Sequence, residues 1–172
     1  MYPDLKINIP SSFSPQSRIW IYQSNRTLSE QETLIAEKML QSFTNKWSSH
    51  GKVVNGKGLV ILNHFILLIA DESSFAVSGC STDSSVRLMK EIEKKLNINL
   101  FDRQTLAFYI GEEIVTMPLS DLKESLEKSI VTSRTLYFNN VIGRLEELNQ
   151  KWLIPVQESW LAAKIKTRSI NV

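Results

Sequence analysis

Apolar positions along the chain change their period several times, and each change predicts an element. Arg18-Ile19-Trp20-Ile21-Tyr22-Gln23 is rich in β-branched and aromatic residues, so it predicts a strand ending at the turn-prone Ser24-Asn25 pair. Thr27-Leu28-Ser29-Glu30 matches a capping box and predicts a helix start. Downstream, Ala36, Leu40, Phe43 and Trp47 recur at three- and four-residue intervals and share one buried face, with Gly51 as the exit. Asn55-Gly56, between Val53-Val54 and Leu59-Val60-Ile61-Leu62, predicts a tight hairpin turn, and Asn63-His64 a second one into Phe65–Ala70. The last two runs lack polar alternation, the pattern of strands covered heavily by helices.

After the small, polar stretch from Ser78 to Ser85, Val86, Met89, Ile92 and Leu96 take up helical spacing and predict a second long helix. Residues 105–110 and 113–117 flank Gly111-Glu112 as a hairpin, and Pro118 and Ser120 open a short helix to about Lys128. Residues 135–138 read as a last strand, 141–149 as a helix, and 156–164 as a closing helix with Trp160 on its buried side. The order of elements is that of an α+β fold: a mixed or antiparallel sheet of about five to six strands, compatible with a ferredoxin-like split β-α-β core, with helices on one face and a C-terminal helical extension.

Composition bounds the assembly. A chain of 172 residues with 42% apolar content fills one sizeable core without disulfides or metal, so residues 1–172 are expected as a single domain. Within it, 1–17 form an irregular arm rich in proline and serine, 18–163 the core, and 164–172 a solvated tail containing Lys164, Lys166 and Arg168. Twenty basic against eighteen acidic residues leave a formal charge of +2, too little field to point to nucleic acid or an anionic membrane. The opening Met-Tyr-Pro-Asp-Leu-Lys is unlike a secretory signal, so a cytoplasmic setting is expected. The most apolar stretch, Leu59 to Ala70, is twelve residues long, against roughly 20 needed for a membrane-crossing helix.

Candidate chemistry is sparse. Gly51-Lys52-Val53-Val54-Asn55-Gly56-Lys57-Gly58 fits the phosphate-loop template at every position but the last, where glycine replaces the hydroxyl that would ligate magnesium; a hairpin turn is expected instead. Amides at a helix start favour anions, so Ser78, Gly79, Cys80, Ser81, Thr82, Asp83 and Ser84 are the candidate ligand-binding residues. The same residues serve as ordinary helix caps. Cys80, the lone cysteine, is the candidate nucleophile, with His50 or His64 as its base, although either histidine also reads as a surface or capping residue. One cysteine and two histidines without close ligand spacing give no metal site, and no cofactor is expected. The four tryptophans and Tyr137-Phe138-Asn139-Asn140 read first as core anchors and second as pocket or interface lining.

Residues 17–23, 78–86, Phe101-Asp102-Arg103 and Phe138-Asn139-Asn140 together resemble a family of short bacterial proteins labelled "ABC transporter ATPase", over about residues 17 to 163. The chain carries no complete Walker A loop, no Walker B aspartate beside one and no Leu-Ser-Gly-Gly-Gln signature, so the resemblance implies no activity, cofactor or catalytic residue. It implies only that the Cys80 segment is a shared feature. The expectation is a non-enzymatic protein that binds a small ligand or a protein partner at residues 78–85, with a homo-oligomer open. The alternative is a thiol-dependent enzyme or redox protein using Cys80. Nucleotide hydrolysis is not expected.

Overall fold

The computed structural model describes residues 7–166. Residues 1–6 of the expected arm and 167–172 of the expected tail lie outside the described residues. Among the described residues, contacts fall into two compact units: residues 7–102 joined by Val141–Glu146, and Arg103–Asn140 joined by residues 147–166. Each unit has its own hydrophobic core, a subdivision that composition does not reveal.

In the first unit, β1 (Arg18–Gln23) leads to α1 (Glu30–Thr44), a small hairpin of β2 (Ser48–Ser49) and β3 (Lys52–Val53), then β4 (Gly56–Ile61), β5 (Phe65–Ala70) and α2 (Gly79–Leu96). The helix start expected at Thr27 lies two residues later. Ser29 is the cap, its hydroxyl accepts from the Glu32 amide, and the Glu32 carboxylate accepts from the Ser29 amide. Thr27 matched only through Glu30, whereas Glu32 is also gripped by the Arg26 guanidinium at 2.7 and 2.9 Å. Those bonds, with that from the Ser29 amide, pull the Glu32 carboxyl down to about 2.

The expected Asn55-Gly56 turn is not formed, because Gly56 already belongs to β4. A Cβ on Gly56 would lie 2.8 Å from the Trp47 ring, so glycine is needed there for space rather than for positive φ. The turns with positive φ fall instead at His50-Gly51 (51° and 77°) and Leu62-Asn63 (53° and 50°), the latter one residue earlier than expected.

The main sheet of this unit has the order β1-β5-β4, antiparallel throughout, so β1 and β4 run parallel with β5 inserted between them. That is the expected split β-α-β arrangement. All six residues of β5 are buried; Ile66, Leu68 and Ala70 join Ala36 and Leu40 of α1 and Leu88, Met89, Ile92 and Leu96 of α2 in one core. Burying each of the larger side chains contributes about 1.5–3 kcal/mol.

A ferredoxin-like core would return a strand after α2 to the free edge of β1. Here that edge meets Val141–Glu146 through a single antiparallel bridge, Arg18 with Arg144, supported by the Ile19 amide donating to the Gly143 carbonyl at 3.1 Å. The next strand, β6, joins the second unit. In place of one sheet of five or six strands, the described residues form sheets of three, two and four. Local alternation marks where strands lie but does not encode which edges pair.

The second unit contains β6 (Thr105–Ile110), β7 (Glu113–Pro118), α3 (Leu122–Glu127), β8 (Leu136–Phe138), α4 (Leu148–Lys151), β9 (Leu153–Pro155) and α5 (Ala162–Lys166). Its sheet runs β7-β6-β8-β9, all antiparallel, and the expected hairpin turns at Gly111-Glu112. Leu106, Phe108, Leu122, Val131, Tyr137, Val156 and Leu161 form its core.

Three expectations fail in this region. The helix over 141–149 shrinks to a 3-10 turn at Leu145–Glu147 running into α4, because Gly143 and Arg144 are held against β1; β8 is followed by a further strand, β9; and the closing helix is broken at Ser159, whose extended backbone interrupts it. Leu161 is therefore fully buried while Trp160 is 45% exposed, its indole N–H donating to the Tyr137 hydroxyl at 3.1 Å. Trp47 and Trp152 do anchor core, at 2% and 0% exposure.

Candidate functional site

Ser78 starts α2. Its hydroxyl accepts from the Ser81 amide at 3.2 Å, and its carbonyl accepts from the Thr82 amide at 3.0 Å. The Gly79 and Cys80 amides have no acceptor among the described residues, and the first turn holds no carboxylate to offset the positive end of the helix dipole.

The β2–β3 hairpin is pinned against this start. The Ser49 hydroxyl accepts from the Ser78 amide at 3.0 Å, and the Ser81 hydroxyl donates to the Ser48 carbonyl at 2.6 Å. Trp47, just beyond α1, donates its indole N–H to the Ser81 carbonyl at 3.1 Å and packs its ring 5.2 Å from that of Phe43.

These fixed elements enclose an open groove of about 850 Å³. Met39, Phe43 and Lys46 line it from α1 and the residues after it, His50 from the hairpin turn, and Cys80, Ser84, Arg87, Leu88 and Glu91 from α2. Cys80, Lys46, His50 and Arg87 are all exposed.

Of the candidate ligand-binding residues, Ser78, Cys80, Ser81 and Ser84 line the groove, whereas Gly79, Thr82 and Asp83 do not. The expected cradle of hydroxyls is largely turned inward. Ser84 donates to the Ser81 carbonyl at 2.7 Å, Thr82 to the Ser78 carbonyl at 3.1 Å, and Ser78 pairs with Ser81 at 2.8 Å. Serine and threonine near a helix start satisfy backbone groups first. What remains for a ligand in the groove is the Cys80 amide together with the Lys46 and Arg87 cations. Neither cation stands out in the sequence, because recognising them requires knowing that α1 and α2 face one another. The only local sign is the spacing of Met39, Phe43 and Lys46, which shares one helical stripe.

The two candidate histidines separate. His50 lies in the groove with Cys80. His64 is not a surface or capping residue: it is 3% exposed at the start of the β5 hairpin arm, stacked edge-on to Phe65 at 5.1 Å, and neither ring nitrogen has a hydrogen-bond partner. Burial holds its pKa below the ordinary 6.5. As pH falls through about 6.5, the unfolded chain takes the proton before the folded one, so stability drops until the folded value is passed. His64→Phe should flatten this step in urea midpoints measured across that window while changing neutral-pH stability by no more than about 1 kcal/mol. An acid slope identical in both proteins would show that His64 is not held neutral.

Among the described residues no three His, Cys, Asp or Glu side chains gather as metal ligands. Residues 51–58 fall in a turn and in β3 and β4, with no helix following, so they form no phosphate loop. Among the described residues no helix is long and apolar enough to cross a membrane. The chain matches no family model, no curated protein and no solved structure.

Proposed function

We propose that this chain is a binding protein, without catalytic activity of its own, that receives a small anion in the groove at the start of α2. The carrying observation is that Lys46 and Arg87 line the same groove as a helix start that contains no acid in its first turn and whose Cys80 amide has no partner among the described residues. Cations and free N–H donors favour negative charge, each modestly alone and more strongly together. A single free cysteine suits a reducing, cytoplasmic setting.

A second reading, thiol chemistry at Cys80, is favoured by one feature: the exposed Cys80 shares the groove with His50. One experiment addresses both readings. Native protein is alkylated with iodoacetamide at about pH 6, with and without inorganic phosphate. The binding reading expects Cys80 to react within about threefold of a simple thiol and to be slowed severalfold by phosphate at constant ionic strength. A rate about a hundredfold above a simple thiol would instead favour the nucleophile. A rate indifferent to phosphate would count against an anion bound beside Cys80.

A further inference from the structure

The groove is a channel between two antiparallel helix ends rather than a pocket for a bare ion. Trp47, just after α1, bonds to Ser81 in the first turn of α2, and Arg26, just before α1, donates to the Leu96 carbonyl at the far end of α2. The two helices therefore run in opposite directions, and their lining residues can be ordered along the channel. Lys46 and His50 lie at the Cys80 end, Phe43 and Arg87 in the middle, and Met39 with Glu91 at the other end. At 1.5 Å per residue, the stretch from Met39 to Lys46 spans about 10 Å and that from Cys80 to Glu91 about 16 Å.

The polarity is graded along this length. The Cys80 end offers Lys46 and the Cys80 amide, Arg87 follows in the middle, and the rest of the channel has apolar lining from Met39, Phe43 and Leu88 and a single carboxylate, Glu91, at its far end. A volume of about 850 Å³ is far more than a phosphate or acetate fills, and it falls in the range of about 300–1,000 Å³ that accommodates organic ligands.

Resting on the anion-binding reading above, we infer that the occupant is an elongated amphiphilic organic anion. Its single acidic head sits at the Cys80 end, and an apolar body about 10 Å long lies over Phe43 and Leu88. The head is recognised by Lys46 and the start of α2, with the Arg87 guanidinium next along the channel. Glu91 disfavours a second negative charge at the far end, which selects monoanions over elongated dianions.

The test is calorimetric titration at neutral pH with decanoate below its micelle concentration, acetate, inorganic phosphate and decyltrimethylammonium. Decanoate should bind at one site at least about tenfold more tightly than acetate, and decyltrimethylammonium should bind at least about tenfold more weakly than decanoate. Arg87→Glu should weaken decanoate about tenfold, and Lys90→Glu, an equal charge change at an exposed position of α2 outside the groove, should leave it unchanged. Phosphate binding with decanoate no tighter than acetate would overturn the amphiphile and leave the anion reading standing. Equal binding of decanoate and its cationic counterpart would overturn the inference by reducing it to grease. Binding of none of the four would sink both readings.

Discussion

Trp47→Ala is expected to destabilise the protein by about 3–5 kcal/mol, the range for deleting a large buried aromatic. Trp47 is 2% exposed, stacks against Phe43 at 5.2 Å and Trp20 at 6.0 Å, and covers Gly56 so closely that a Cβ there would be 2.8 Å away. No neighbour can collapse into the space without shifting the hairpin or α1. The indole N–H also ties the end of α1 to the Ser81 carbonyl at 3.1 Å. Trp47→Phe keeps much of the apolar area and removes that bond, so it should cost less, with about 1 kcal/mol of its cost from the bond. Urea unfolding of the three proteins measures the series. A loss below about 1 kcal/mol for Trp47→Ala would mean that the groove floor is loosely packed.

The second large effect is expected at Gly58, where α1 lies directly on β4. A Cβ at this position would sit 2.6 Å from Leu40 Cβ, 2.8 Å from Cδ2 and 3.0 Å from Cγ. Leu40 is fully buried, and its Cβ is fixed by the helix backbone, so rotating the side chain cannot relieve the clash. Gly58→Val should cost about 3 kcal/mol or more, because α1 must lift from the sheet. Lifting α1 also moves Phe43 and Lys46, so phosphate protection of Cys80 should weaken in the same variant. Gly143→Ala, where nothing lies within 4 Å, is the control and should change stability by less than about 0.5 kcal/mol. Equal tolerance at the two glycines would contradict the close approach of α1 to β4.

What local chemistry determines was readable from residues, and what long-range contact determines was not. The face of α1 through Ala36 and Leu40, the apolar run of β5, the hairpin at Gly111-Glu112 and the start of α2 all follow from period, turn chemistry and capping within a few residues. Two local ambiguities misled: Thr27 and Ser29 both fit a capping template, and Asn55-Gly56 has turn chemistry but sits under Trp47. Residues 141–144 are not helical because Gly143 and Arg144 are held against β1, far away in sequence. Within the site, the Cys80 segment was visible as a helix start, whereas Lys46 and Arg87 became meaningful only once α1 and α2 were brought side by side. The burial of His64 went unseen for a related reason: a histidine beside a turn is ordinarily exposed, and here the turn falls one residue earlier, at Leu62-Asn63.

The most direct test of the anion site is a phosphate titration followed by the backbone amide signal of Cys80 in proton–nitrogen correlation spectra at constant ionic strength. The expected result is a saturable shift centred on this amide and extending to Lys46 and Arg87, abolished when both cations are replaced by glutamate. Shifts that are linear in phosphate, scattered over the surface or unchanged in that double variant would contradict a ligand seated at the start of α2.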